Sequence, residues 1–195
     1  VRCFVAVDLS GEARDAVAEA AGALRERGPR ADVKWVDPAN LHLTLEFLGE
    51  VTEDRIVAVR AALGRVAGGH APFELGMAGI GGFPSLGRPR VLWAGVSHGL
   101  RELGLLAADV ERAMAPLGFP PESRPFSGHV TLGRVRTPRG LRRVLDAAAA
   151  LEGQPFGAWT VREIVLYRSH LRPSGSVYEP LATLALGRSV VEDGQ

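Results

Sequence analysis

One four-residue pattern occurs twice in this chain, and it constrains everything else. It reads His42-Leu43-Thr44-Leu45 in the first half and His129-Val130-Thr131-Leu132 in the second. In a β-strand alternate side chains point to opposite faces. Each copy therefore commits two aliphatic residues to a core and leaves an imidazole and a hydroxyl together on the other face. A fold that holds two such strands must leave one sheet surface open where both pairs emerge. The expectation is a cleft with a histidine contributed from each side.

Paired imidazoles have a clear chemical use. Free histidine titrates near pH ~6.5, so at neutral pH one ring of a pair can accept a proton while the other donates one. Displacement at phosphorus needs both transfers, because the nucleophile loses a proton and the leaving oxygen gains one. A threonine hydroxyl two residues on, on the same face, can hold a non-bridging oxygen as charge builds there. A metal site is the rival reading. Two histidines with no Cys, Asp or Glu at ligand spacing make a poor zinc set. Glu46 falls on the same face as His42 and Thr44 by simple alternation, but its counterpart is Gly133.

Hydrophobic periodicity places the copies on strands within an alternating series of helices and strands. Strands are predicted over 2–8, 33–36, 41–48, 73–80, 91–96, 129–135, 157–168 and 177–187. Helices are predicted over 11–28, 52–67, 99–116 and 138–151. Ser10 is the expected cap of the first helix and Gly28-Pro29 its stop. Pro138 is expected in the first turn of the last helix. The segment 81–90 reads as the clearest loop. The halves align by hand: Arg2 with Arg90, His42 with His129, and Phe73 with Phe156. These offsets predict one domain over 1–195 made of two pseudo-symmetric lobes, with repeats at about 2–80 and 90–187.

Composition narrows the setting. The 195 residues carry a net charge of +1, which gives no global field for nucleic acid. Lys34 is the only lysine, so nearly all the basic charge is arginine, which suits bidentate contact with phosphate. The single cysteine, Cys3, excludes an internal disulfide and reads as a buried hydrophobe. No apolar run is long enough to span a bilayer, the first residues do not read as a signal peptide, and a cytoplasmic protein is expected. His70, His98 and His170 read as structural or solvated. Trp35, Trp93 and Trp159 read as core. Arg136, Arg139, Arg142 and Arg143 read as an exposed helix face.

Taken together, these blocks resemble the 2H phosphoesterase superfamily, and within it the RNA 2′,3′-cyclic phosphodiesterase (2′-5′ RNA ligase) family. The resemblance runs through Arg2–Val7, Asn40–Gly49, Arg90–Gly95, Gly128–Arg134, Leu166–Ser169 and Val177–Leu181. Gly128 departs from it, since the family usually has proline before the second histidine. The resemblance implies an α+β fold of two lobes, each an antiparallel sheet backed by helices, with the site in a central groove. It implies hydrolysis of a 2′,3′-cyclic phosphate to a 2′-phosphate with no metal or other cofactor. In that scheme His42 is the proton donor, His129 the proton acceptor, and Thr44, Thr131 and Arg134 hold the phosphate. The substrate would be an RNA end or nucleotide bearing a 2′,3′-cyclic phosphate, handled by a monomer away from membranes, with reversible 2′-5′ ligation as a second reaction. Three alternatives stay open from sequence: a small cyclic nucleotide such as ADP-ribose 1″,2″-cyclic phosphate, a 2′-5′ oligonucleotide, or an RNA-binding module without catalysis.

Overall fold

The computed structural model describes residues 1–187. The described residues form nine strands and four α-helices. The strands are β1 (Arg2–Asp8), β2 (Val33–Trp35), β3 (His42–Glu50), β4 (Phe73–Phe83), β5 (Val91–His98), β6 (His129–Val135), β7 (Pro155–Val161), β8 (Glu163–Arg172) and β9 (Gly175–Ala185). The helices are α1 (Gly11–Arg27), α2 (Glu53–Gly68), α3 (Leu100–Met114) and α4 (Arg142–Ala149). Among the described residues no helix is long and apolar enough to cross a membrane.

All strand pairings are antiparallel, in the order β7-β4-β5-β6-β3-β1-β8-β9, with β2 also paired to β6. Two four-stranded halves thus meet along β6 and β3. Their junction is a single bridge, Leu43 to Val130, beyond which β6 turns to β2 instead. Helices α1 and α4 pack together against β4 and β7, while α2 and α3 pack together against strands of the other half. Leu43, Leu45, Val130 and Leu132 enter the core beneath them. One face of the sheet is thereby committed to the helices, and the other is left to the side chains between Leu43 and Leu45 and between Val130 and Leu132.

Local chemistry explains most element boundaries. The Ser10 side chain accepts the Ala13 N–H and caps α1, whose Ala13, Val17, Ala20 and Leu24 form one buried stripe. Two expectations fail for physical reasons. The predicted helix 138–151 starts only at Arg142, because Gly140 takes a left-handed conformation (φ 68°) pressed against Arg30. A Cβ there would stand 2.9 Å from the Arg30 carbonyl oxygen, and Pro138 stays outside the helix. The predicted strand 157–168 is two strands broken at Arg162, with β7 pairing with β4 and β8 with β1. Phe73 and Phe156, aligned by sequence, lie on β4 and β7, which pair with each other. It is β8 that occupies beside β1 the place β4 takes beside β5. The first residues of the predicted loop 81–90 continue β4 to Phe83, and the strand predicted to 187 ends at Ala185.

Candidate active site

The bridge between Leu43 and Val130 sets the geometry. Counting outward in antiparallel register, His42 stands opposite Thr131 and Thr44 opposite His129. All four side chains leave the sheet on the face away from the helices, and all four residues are half-buried. The predicted constellation is therefore assembled at the seam of the two halves.

Both imidazoles are oriented in the same way. His42 Nδ1 lies 2.6 Å from the Asn40 carbonyl oxygen, and His129 Nδ1 lies 2.7 Å from that of Ser127. A carbonyl only accepts, so each Nδ1 carries the hydrogen and each Nε2 is left to exchange a proton. Asn40 is itself held by its amide donating to the Ser176 carbonyl at 2.7 Å. Aromatic rings fix the imidazole planes. Phe4 lies tilted against His42 at 4.8 Å, Tyr178 meets it edge-on at 5.3 Å, and Phe83 meets His129 edge-on at 5.0 Å.

The surroundings separate the two rings electrically. Burial lowers the pKa of both below the ordinary histidine value, and each carbonyl bond works against that. Asp8, the register partner of His42 on β1, favours its protonated form. Arg134 favours the neutral form of His129. The Tyr167 hydroxyl holds Asp8 in place, 2.9 Å from each carboxylate oxygen, and burial and Asp8 together raise the tyrosine's own pKa. One asymmetry concerns the threonines. His42 Nε2 lies 2.9 Å from the Thr44 hydroxyl, whereas His129 makes no such bond to Thr131 among the described residues.

Comparison with known proteins decides the family. The model of the LigT-like phosphoesterases matches residues 7–93 and 95–178. The chain belongs to the LigT-like phosphoesterases. It is accordingly a phosphodiester hydrolase. An RNA 2′,3′-cyclic phosphodiesterase of Archaeoglobus fulgidus is 38% identical over 181 residues, spanning 93% of this chain and 98% of that protein. A crystal structure from Thermus thermophilus superposes with a TM-score of 0.77 at 35% identity, over 96% of this chain and 99% of that one. Escherichia coli LigT complexed with 3′-AMP gives a TM-score of 0.73 at 32% identity, over 95% and 97%.

In this LigT-like phosphoesterase a β-bulge follows each His-x-Thr pair and changes which side chains face the groove. The register of β1 on β3 passes from Ala6–Thr44 to Val5–Glu46, skipping Leu45, and that of β5 on β6 passes from Trp93–Thr131 to Leu92–Gly133, skipping Leu132. Two successive residues then point at the core. Simple alternation therefore misplaces Glu46, which lies on the helix side and is only 4% exposed. The same slip delivers Arg134 to the groove face, three residues after Thr131, opposite Lys34 on β2 and Val91 on β5. Its counterpart on β3 is Phe47, 60% exposed beside Phe4. Gly133 has no side chain because a Cβ there would stand 2.7 Å from Val33 and 3.1 Å from Trp35.

Several groove residues lie beyond what the sequence alone singles out. Asp8 gives no signal apart from ending β1. Trp93 reads as core from sequence, yet it shares the groove face with Thr131, its indole lying where a Cβ on Gly81 would be. Gly128 leaves room for Leu103, which would lie 2.8 Å from a Cβ at that position. The other histidines are engaged elsewhere or stay outside: His70 bonds Asp109 and His170 bonds Glu179, each at 2.7 Å, and His98 is exposed at the end of β5. Cys3 is buried, which raises its thiol pKa. Among the described residues no three His, Cys, Asp or Glu side chains gather as a metal-binding group.

Glu46 carries its own prediction. Among the described residues neither carboxylate oxygen finds a hydrogen-bond partner, and burial, with Glu111 and Glu122 nearby, raises its pKa from 4.5 to about 7. The folded state then holds the proton more tightly than the unfolded chain. Stability is lost as pH rises from about 4.5 towards 7, by up to about 3 kcal/mol. Glu46→Gln is expected to match the parent near pH 4.5 and exceed its stability above pH 7. Denaturant unfolding across that range checks this, and an equal slope in both proteins would show that Glu46 ionises at no cost.

Proposed function

We propose that this phosphodiester hydrolase opens 2′,3′-cyclic phosphate ends of RNA to 2′-phosphates, using its two groove histidines and no metal. The observation that carries the reading is the seam itself, where two imidazoles with matching Nδ1 anchors stand diagonally across one bridge, each beside a threonine. The curated relative and the two segments matched by the family model support the substrate class and the reading of the chain as two repeated lobes. One chain supplies both imidazoles, which supports a monomeric enzyme.

In the forward reaction, water attacks phosphorus as His129 Nε2 takes its proton. The bond from phosphorus to O3′ breaks, and protonated His42 delivers its Nε2 hydrogen to that oxygen. The products are a 2′-phosphomonoester and a free 3′-hydroxyl. Each histidine ends in the other's starting state, and solvent resets the pair. The local charges support this division, since Asp8 favours a protonated His42 and Arg134 a neutral His129. Thr131 and Arg134 bind the non-bridging oxygens, and Thr44 turns from His42 to join them. Ligation to a 2′-5′ linkage follows the same path with a 5′-hydroxyl in place of water, and only its reversal, cleavage of that linkage by the 3′-hydroxyl, exchanges the two roles.

Turnover of a 2′,3′-cyclic mononucleotide in excess EDTA tests the proposal. The expected product is the 2′-phosphate alone, formed at an undiminished rate. Loss of activity restored by one divalent ion would overturn the metal-free mechanism, and release of 3′-phosphate would overturn the choice of scissile bond.

A further inference from the structure

The cleft that most resembles a second binding site lies beyond the far end of β6. It has a volume of about 960 Å³ and sits between the loop 84–90 and helix α4. Its rim carries Arg88, Arg90, Arg136 and Arg142 against one carboxylate, Asp146. Its floor is apolar, with Leu86, Pro89, Val135, Leu141 and Leu145 among the lining residues. All four arginines are exposed. The only ion pair any of them makes among the described residues is Arg136 to Asp32, at 4.0 Å.

Two further observations join this cleft to the histidines. The loop is tied to the groove: the Arg90 N–H donates to the Phe83 carbonyl, the Val135 N–H donates to that of Arg90, and Phe83 touches His129. Between the two sites, Lys34 and Arg134 face each other directly across β2 and β6. Like charges in that position repel, and a polyanion lying over them would relieve the repulsion. From Thr131 to Val135, where β6 ends beside Arg136, the strand covers roughly 13 Å at about 3.3 Å per residue. The row of cations therefore leads away from the reacting phosphate, along the path that a chain of nucleotides would take.

We propose that the arginine-rimmed cleft between the loop 84–90 and α4 binds single-stranded RNA upstream of the cyclic end, its arginines taking phosphates and its apolar floor a base. Arginine offers planar paired donors to phosphate. An apolar floor with a few polar groups at its rim suits a flat heterocycle. The inference rests on the phosphodiesterase reading, and it adds that the enzyme distinguishes an RNA from a mononucleotide at a place remote from the chemistry.

The test is a double charge reversal, Arg88→Glu with Arg142→Glu, both at exposed positions away from the histidines. Hydrolysis of a short oligoribonucleotide ending in a 2′,3′-cyclic phosphate is compared with that of 2′,3′-cyclic AMP. At low salt kcat/KM for the oligonucleotide should fall about tenfold or more, with the mononucleotide unchanged, and the salt slope of log affinity should flatten by about 1.4 for two lost single-strand contacts. An unchanged oligonucleotide rate, or equal losses on both substrates, would overturn the proposal. Fluorescence anisotropy of a labelled oligonucleotide, with and without polyaspartate as competitor, reads the cleft independently of turnover. Weaker RNA binding by the variant supports the proposal even if no cyclic phosphate is hydrolysed, a result that would sink the phosphodiesterase reading alone. Polyaspartate that competes as well as unlabelled RNA would show a site for any polyanion and would overturn the assignment to RNA.

Discussion

Replacing either His42 or His129 by alanine is expected to lower kcat/KM on a 2′,3′-cyclic nucleotide by at least roughly 10²–10⁴-fold, the usual worth of a general acid or base. Folding should survive both changes. Each ring is half-buried on the groove face, and the residues that hold the seam, Leu43 and Val130, are untouched. The pH dependence should change in a way that simple damage would not produce. The intact enzyme should give a bell whose limbs belong to the coupled pair, with both displaced to the acid side of about 6.5 because burial lowers both imidazoles. Activity falls at low pH when the base is protonated and at high pH when the acid has lost its proton. His129→Ala should therefore lose the acid limb and His42→Ala the alkaline one. A variant that keeps both limbs would show that its histidine is not one of the titrating pair.

Thr131→Ala is expected to cost on the order of 10²–10³-fold in kcat, the range for loss of one donor to a transition-state oxyanion. Thr44→Ala should fall in the same range by a different balance. The Thr44 hydroxyl is engaged by His42 Nε2 at 2.9 Å, so its removal also frees that ring. The Thr44 variant should thus shift the pH profile as well as lower the rate, whereas the Thr131 variant should lower the rate with the limbs in place. Steady-state kinetics across pH separates the two. Turnover close to that of the parent in both variants would remove the threonines from the mechanism.

The sequence carries the reacting groups more clearly than their neighbours. Alternation along a strand is enough to place His42 and Thr44 together and His129 and Thr131 together, because both pairs precede their bulges. It fails immediately afterwards. Nothing in Leu45 or Leu132 announces an extra residue, since a bulge is decided by how a strand meets its partner. That failure sends Glu46 to the wrong face and hides the reason that Arg134 reaches the groove. The break at Arg162 is illegible for a related reason: β7 and β8 follow one another with a single residue between them but pair with strands of opposite halves. Asp8 and Trp93 escape a sequence reading because their roles depend on cross-strand register, with Asp8 beside His42 and Trp93 beside Thr131.

Exchange of one bridging atom tests the central claim most directly. A 2′,3′-cyclic phosphorothiolate with sulfur at the 3′ position releases a thiolate, which needs no proton to depart. If His42 is the acid, this substrate should restore His42→Ala towards the rate of the intact enzyme and leave His129→Ala as impaired as before, because water still needs a base. Restoration of the His129 variant would show that the two roles are reversed. Failure to restore either would contradict proton transfer to the leaving oxygen by this pair.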